Sequence, residues 1–208
     1  MNEDLTAPFR NLKETTLCPF ARGAVLEYAA NATATSDLNE AAKIVAQDLA
    51  VHMRIGRLQR LGGYVARLPS SGNTFEADVR DFAAFVNALG EHDASCREAL
   101  SQDPTAVGWS LKIDGEPVFL NLFSAFYPQR HSKYISSPGS FWIFFQPEYV
   151  FEQHGINRDA RETKINIRRC FAEAGMEYDA TQIDRRRKAH CFVFPLRPED
   201  GPIEWWTF

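Results

Sequence analysis

Two apolar runs, Val118 to Phe123 and Phe141 to Phe145, constrain this chain more than any other feature. Each has the length and the aliphatic and aromatic make-up of a buried strand. Asp114-Gly115 precedes the first run, and Asp-Gly between apolar segments favours a two-residue hairpin turn. Val107 to Ile113 and Pro117 to Phe123 are therefore expected to pair, with Ser140 to Phe145 as the next strand. The segment between the runs carries Tyr127, Pro128, Arg130, His131, Ser132, Lys133 and Tyr134. It is the densest set of chemically capable side chains in the sequence. Polar groups on a loop braced by rigid strands form the usual scaffold of a site.

The flanking sequence supplies helices. Asp37 to Met53 repeats Leu38, Ala41, Val45, Leu49 and Met53 at helical spacing, with Asp37 as cap and Glu40 at the capping-box position. Thr74 caps a second helix with the stripe Phe75, Val79, Phe82, Val86 and Leu89, and Gly90 fits its C-terminal stop. Further helices are expected over about 94–102 and 159–173, the latter directing Ile165 and Phe171 inward. Pro147 is placed to open a helical turn through Phe151. Short strands are expected over 24–30, 64–68 and 190–196, with Gly62-Gly63 as a break. Residues 1–16 read as an arm or short helix, and 198–208 as an aromatic-tipped tail. Strands that cluster mid-chain between paired helices favour an α+β fold: one domain over 1–208, with a largely antiparallel or mixed sheet flanked by helices.

Composition bounds the function. With 208 residues, 45% apolar and 24% charged, the chain is long enough for one real core. A net charge of −4 disfavours bulk nucleic-acid binding, and no apolar run is long enough to span a bilayer. The first ten residues hold two acids and lack an apolar signal region, and the four cysteines form no Cys-x-x-Cys pair. A reducing, cytoplasmic location is the expectation. Sixteen Phe and four Trp can fill a core or line the cavity of a flat cofactor.

Several strings taken together carry a resemblance. They are Leu17-Cys18-Pro19-Phe20, Trp109, Gly115-Glu116-Pro117-Val118-Phe119, Arg130-His131-Ser132-Lys133, the long Phe145-Gln146-Pro147-Glu148-Tyr149-Val150-Phe151-Glu152, Ile167-Arg168-Arg169 and Tyr178-Asp179. In this order they resemble the YqcI/YcgG family. Some members look like haem-dependent N-oxygenases acting on arginine-like guanidine compounds. The chain departs from that pattern at Tyr127, where the family often has His, and at Lys133, where it often has Arg. Ala189-His190-Cys191-Phe192 replaces the family's usual closing segment.

The resemblance implies haem b, whose iron takes its axial ligand from His, Cys, Tyr or Met. Cys18 is the leading metal ligand, because a thiolate pushes electron density toward O–O cleavage; its plain alternative is a packed thiol. His131 and His190 are the other metal-ligand candidates. Tyr127 and His131 are the candidate catalytic residues. Arg130 and Lys133 are expected to bind haem propionates or a substrate carboxylate, Arg with the two-pronged geometry that Lys lacks. Gln146, Glu148 and Glu152 are the candidate substrate-binding residues. One helical turn would align Glu148 and Glu152 against a guanidinium, although acids are also common at helix N-termini. Arg185-Arg186-Arg187-Lys188 reads as a solvated edge or a propionate anchor, and His52, His92 and His154 as structural.

The expected function is therefore haem-dependent N-hydroxylation of an amine or guanidine nitrogen in a biosynthetic route. Electrons come from an external donor, because no flavin or nicotinamide fingerprint is present. The alternatives are a non-catalytic haem or small-ligand binder, and a haem-free enzyme using His131 and the acids for acid–base work. No nucleic-acid or membrane partner is expected, and a homodimer is left open.

Overall fold

The computed structural model describes residues 4–29, 32, 35–153, 161–176, 178 and 182–208. Five strands form one sheet: β1 (Val25–Tyr28), β2 (Leu61–Pro69), β3 (Leu111–Ile113), β4 (Glu116–Phe123) and β5 (Ser140–Pro147). Their spatial order is β1-β2-β5-β4-β3. The β1–β2 pair is parallel and the other pairs are antiparallel, so the sheet is mixed. The helices are α1 (Ala7–Thr15), α2 (Pro19–Gly23), α3 (Leu38–Gln59), α4 (Phe75–His92), α5 (Ala94–Leu100), α6 (Tyr149–Gln153) and α7 (Arg161–Glu173). The expected α+β class is the observed one, and α3 is the crossover that a parallel β1–β2 pair requires.

The hairpin forms as its sequence dictates. Ile113 pairs with Glu116, and the two residues between them, Asp114 (φ 50°) and Gly115 (φ 80°), both take the positive φ of a type I′ turn. Side-chain alternation then sorts the strands between two layers. Tyr64, Ala66, Leu68, Leu120, Leu122, Phe141, Ile143 and Phe145 join the α3 and α4 stripes in the main core. On the opposite face Val65, Phe123 and Trp142 pack with Ile135 and with Phe9 of α1. The N-terminal segment is thus a helix that covers one face of the sheet.

Local chemistry explains most of the boundaries. Asp37 caps α3 by accepting from the Asn39 N–H, while its own N–H donates to Thr35 Oγ1 instead of completing a box with Glu40. Thr74 accepts from the Ala77 N–H, as expected of a cap. The α3 helix runs past Met53 to Gln59 and stops where Arg60 adopts a left-handed conformation (φ 54°).

Other expected boundaries are corrected. Gly90 lies inside α4, where the Arg97 side chain of α5 donates to its carbonyl oxygen; α4 ends at His92 and Asp93 caps α5. Gly62-Gly63 belongs to β2: a Cβ on Gly62 would meet Ala24, and one on Gly63 would meet Phe144 and the Phe145 carbonyl. The pair marks a close approach of neighbouring strands, not a break. Pro147 closes β5, and the helix after it starts at Tyr149. Of residues 107–113, only Leu111–Ile113 enter the ladder. Among the described side chains of α7, Ile167 and Phe171, one turn apart, are buried, while Ile165 is exposed.

The segment 190–196 is not a strand. Residues Lys188–Cys191 form a 3-10 turn, and the one backbone bond to β4 runs from the Leu122 N–H to the Phe192 carbonyl. Phe192, Val193 and Phe194 are nevertheless buried, because they pack against the sheet by their side chains. The aromatic tail closes the same core: the Trp205 indole N–H donates to the Ala189 carbonyl, and its ring meets Phe82 edge-on at 5.3 Å.

The α6 helix docks on α3 through a glycine. A Cβ on Gly56 would lie 2.1 Å from the Tyr149 hydroxyl, which is buried without a partner. Gly56→Ala is expected to lower stability by about 1–3 kcal/mol through overpacking. Removing that hydroxyl with Tyr149→Phe costs little, since it makes no bond, and should recover much of the loss in the double variant. Urea unfolding of the four proteins checks the cycle; equal cost of Gly56→Ala in both backgrounds would place the strain elsewhere.

Candidate functional site

The polar segment after β4 is held by its own turns. The His131 N–H donates to the Pro128 carbonyl, and the Tyr134 N–H to the His131 carbonyl. Ser124 and Tyr134 form a parallel bridge, with the Ser124 N–H donating to Lys133 O and the Ile135 N–H to Ser124 O. Beneath it, Ser124 and Ser70 hydroxyls donate to the two oxygens of Asp78, at 2.5 and 2.6 Å. Burial raises the Asp78 pKa above the usual carboxylate value, with the Asp81 charge adding to it, against those hydroxyl bonds. The loop is therefore bolted to α4 through a buried carboxyl group.

Three candidate residues meet here. The Tyr127 and His131 rings stack at 4.2 Å with an interplanar angle of 3°. The Tyr127 hydroxyl donates to the Phe194 carbonyl at 2.8 Å, and burial raises its pKa, so it stays a protonated phenol. His131 Nδ1 accepts from the Lys133 backbone N–H at 3.1 Å. Burial, then the Lys133 charge, pushes the His131 pKa down to about 3, so the ring is neutral near pH 7.

Lys133 Nζ reaches inward to Asn121 Oδ1 on β4, at 2.5 Å. It lies 4.8 Å from the Phe123 ring centroid and 5.5 Å from that of Phe194. Arg185 shares the Phe194 ring, its guanidinium carbon 5.7 Å from the centroid. The residue as a whole is half-buried, but its ammonium sits among these rings. Burial first, then the Arg185 charge, lowers the Lys133 pKa to about 7, against the raising influence of Cys18 and Cys191.

The remaining candidates are dispersed around this centre. Cys18, free and half-buried, caps α2 in the extended conformation that Pro19 imposes. Arg130 is exposed on the loop. The His190 ring stacks on Trp206 at 5.1 Å, and its Nε2 is buried without a partner. Burial, then Arg187, lowers the His190 pKa, against Glu204 and Asp184.

The expected alignment of Glu148 and Glu152 on one helix face is corrected. Glu148 precedes α6, accepts from Lys188 and lies 3.3 Å from Ser110 Oγ. Glu152 lies 3.4 Å from Arg57. Each carboxylate is held by a separate cation because Glu148 stays with the end of β5. Gln146 sits on β5 opposite Phe119.

The basic run is also apportioned. Arg186 pairs with Asp184 at 2.9 Å, Arg187 donates to the Thr105 carbonyl, and Lys188 pairs with Glu148.

Sequence reasoning missed three partners. Asn121 and Arg185 approach Lys133 from β4 and from the C-terminal segment. His52, read as structural, is wholly buried; its Nδ1 is 2.5 Å from Glu27 Oε2 and its Nε2 has no partner. A carboxylate on one ring nitrogen is what orients an imidazole to use the other. The 25-residue separation of Glu27 and His52 leaves no local signal. His154 and Asp179 lie outside the described residues.

A haem iron needs only one protein ligand, and the buried, unpartnered His190 Nε2 and the free Cys18 thiol both suit that requirement. His131 is neutral but already uses Nδ1 as an acceptor. Among the described residues, no group of three or more His, Cys, Asp or Glu could hold a bare metal ion. Also among them, no helix is long and apolar enough to cross a membrane.

The depressed His131 pKa has a stability consequence. A base whose folded pKa lies below its unfolded value binds fewer protons when folded, so stability rises with pH between the two values. The His131 contribution is complete above about pH 6.5 and is lost as pH falls toward about 3. Asp78, with its raised pKa, acts oppositely in the acid range. Stability curves from pH 3 to 7 for the wild type and His131→Asn are expected to converge at acid pH. The wild type should gain a few kcal/mol more on the way up, at about 1.4 kcal/mol per displaced pKa unit. Parallel curves would show that His131 is not buried in the neutral form.

No curated protein and no solved structure matches the chain. The YqcI/YcgG family matches over residues 12–185, which takes in the sheet, the polar loop and Arg185 and leaves out His190, Cys191 and the aromatic tail. The match covers most of the 208 residues, and the chain belongs to the YqcI/YcgG family.

Proposed function

We propose that the chain binds haem and N-hydroxylates an amine or guanidine nitrogen of an arginine-like small molecule in a biosynthetic pathway. The observation that carries this reading is the buried His190 Nε2, which has no partner, on a ring oriented by Trp206. Family membership and the free Cys18 thiol support it. Haem would supply activation of dioxygen, with electrons from an external donor.

The chain's own residues would do the rest. His190 or Cys18 would hold the iron; lowering of the His190 pKa keeps its imidazole neutral and able to ligate. Arg130, exposed beside the stacked Tyr127–His131 pair, would take the substrate carboxylate as a fork. Gln146 on β5 would contribute a polar contact. Glu148 and Glu152 already pair with Lys188 and Arg57, so a guanidinium would have to displace one of these cations. A haem-free enzyme is the second reading, favoured by the Lys133 amine, whose pKa of about 7 suits proton transfer at neutral pH.

The decisive measurement is the absorption spectrum of protein reconstituted with haem, before and after dithionite and carbon monoxide. A Soret band is expected. A strong red shift of the reduced carbon monoxide form should vanish in Cys18→Ser if the thiolate ligates. An unshifted band should be altered in His190→Ala if the imidazole does. Absence of a Soret band, or spectra unchanged in Cys18, Tyr127, His131, His190 and His52 variants, overturns the haem reading.

A further inference from the structure

The sheet has one open edge beside a cavity. β1 stands at the end of the strand order and pairs with β2 alone. The Ala29 N–H donates to the Val65 carbonyl, so by the two-residue period of a strand the peptide groups of Leu26 and Tyr28 face away from β2. Among the described residues, no hydrogen bond takes up these outward groups. A cavity of about 310 Å³ opens along the edge, between β1 and α1. Leu26 and Tyr28, half-buried, line it from the strand, and Arg10, Lys13 and Glu14 line it from the helix. Arg10 pairs with Asp4 at the surface. Lys13 Nζ donates to the Arg22 carbonyl at 3.0 Å, and the Arg22 guanidinium donates to the Thr16 carbonyl at 3.0 Å. These two cations are held by carbonyl dipoles and, among the described residues, by no carboxylate. An ammonium has three donors, so Lys13 keeps two for an incoming anion. Outward peptide groups with a cationic flank are a template for an added strand.

We propose that β1 is a docking edge for an extended acidic segment of a partner protein, which joins the sheet as a further strand. Main-chain bonds to the outward groups of Leu26 and Tyr28 supply the affinity, and alternate side chains of the segment supply the specificity. On the α1 side, a glutamate lays its methylenes over Leu26 and Tyr28 and sets its carboxylate at Lys13. On the other side, an aliphatic residue covers Val25, which is 58% exposed. Glu27 takes no part, because its carboxylate is turned to His52 Nδ1. A second copy of the chain suits the edge less well. Antiparallel pairing of β1 with its own copy about a two-fold axis puts both α1 helices on one face of the joined sheet. Arg10 and Lys13 would then face the same cations across the axis, and like charges so placed oppose association. An acidic segment meets no such opposition. This docking requires no haem and stands apart from the N-hydroxylase reading.

The test uses the full-length chain and capped, fluorescein-labelled octapeptides of alternating valine and glutamate. Alternating valine and lysine, and the glutamate peptide with every amide N-methylated, are the controls. Fluorescence anisotropy is expected to saturate with the glutamate peptide and to show at least about tenfold weaker binding of both controls. Lys13→Glu should abolish the preference for glutamate over lysine, with far-ultraviolet circular dichroism confirming that the variant is folded. Hydrogen exchange on the wild type needs no variant: saturating glutamate peptide should slow the Leu26 and Tyr28 amides at least about tenfold and leave those of α4 unchanged. Absence of binding, exchange of Leu26 and Tyr28 unaltered by the peptide, or a preference unchanged in folded Lys13→Glu overturns the proposal. Sedimentation showing a dimer in which the same two amides are protected without peptide would assign the edge to a second copy and overturn it too. None of these outcomes bears on the Soret band, so failure here is separable from failure of the haem reading.

Discussion

Everything in this fold leans on the double burial of β5. Its side chains alternate between two cores: Phe141, Ile143 and Phe145 enter the α3–α4 layer, while Trp142 faces Phe9 of α1. A strand buried on both faces must also satisfy its backbone on both edges, and β2 and β4 do so by antiparallel pairing. That requirement draws Gly63 against Phe144 and Phe145 and leaves no room for a side chain there. It also sets the positions of the ends of β4 and β5, between which the polar loop is stretched. The loop inherits its rigidity from the sheet.

Packing decides which charges remain. At the end of β4 the loop must turn over the Phe123 and Phe194 rings, and Lys133 follows it inward. Its ammonium donates to an amide oxygen, that of Asn121. His131 is driven neutral by the same enclosure, and Tyr127 is held as a phenol by the Phe194 carbonyl. Tyr127, His131 and Asn121 thus present neutral donors and acceptors beside the Lys133 and Arg185 cations. Proton transfer by Tyr127 or His131 would work against burial, whereas ligation by a neutral nitrogen works with it.

The fold was legible because its signals are local. Apolar runs of strand length, the Asp114-Gly115 turn and the stripes of α3 and α4 each act within a few residues, and each formed where the pattern placed it. Signals misled where a long-range constraint took over a local rule. Gly62-Gly63 looks like a break until a neighbouring strand requires glycine, and 190–196 looks like a strand because burial by side-chain packing imitates burial in a ladder. The polar loop was visible as a candidate site, and the stacking of Tyr127 on His131 at i, i+4 follows from its turns. The partners of Lys133 were not visible, since Asn121 and Arg185 reach it through the tertiary fold. Glu148 and Glu152 were misaligned because Pro147 ended a strand instead of starting a helix.

The basic run Arg185-Arg186-Arg187-Lys188 shows how the periphery serves the centre. A run of like charges on a surface is ordinarily solvated and mutually repelling. Here each cation is drawn to a different place: Arg185 to Phe194, Arg186 to Asp184, Arg187 to the Thr105 carbonyl and Lys188 to Glu148. The surface pair with Asp184 adds little stability by itself. Arg187 and Lys188, however, tie the C-terminal segment to the chain before β3 and to the end of β5. Between those ties and Trp205, anchored on Ala189, the 3-10 turn has little freedom, and it is this turn that carries His190 and Cys191. These charges act as moorings, holding the His190 imidazole in place and bringing Arg185 and Cys191 toward the Lys133 side chain.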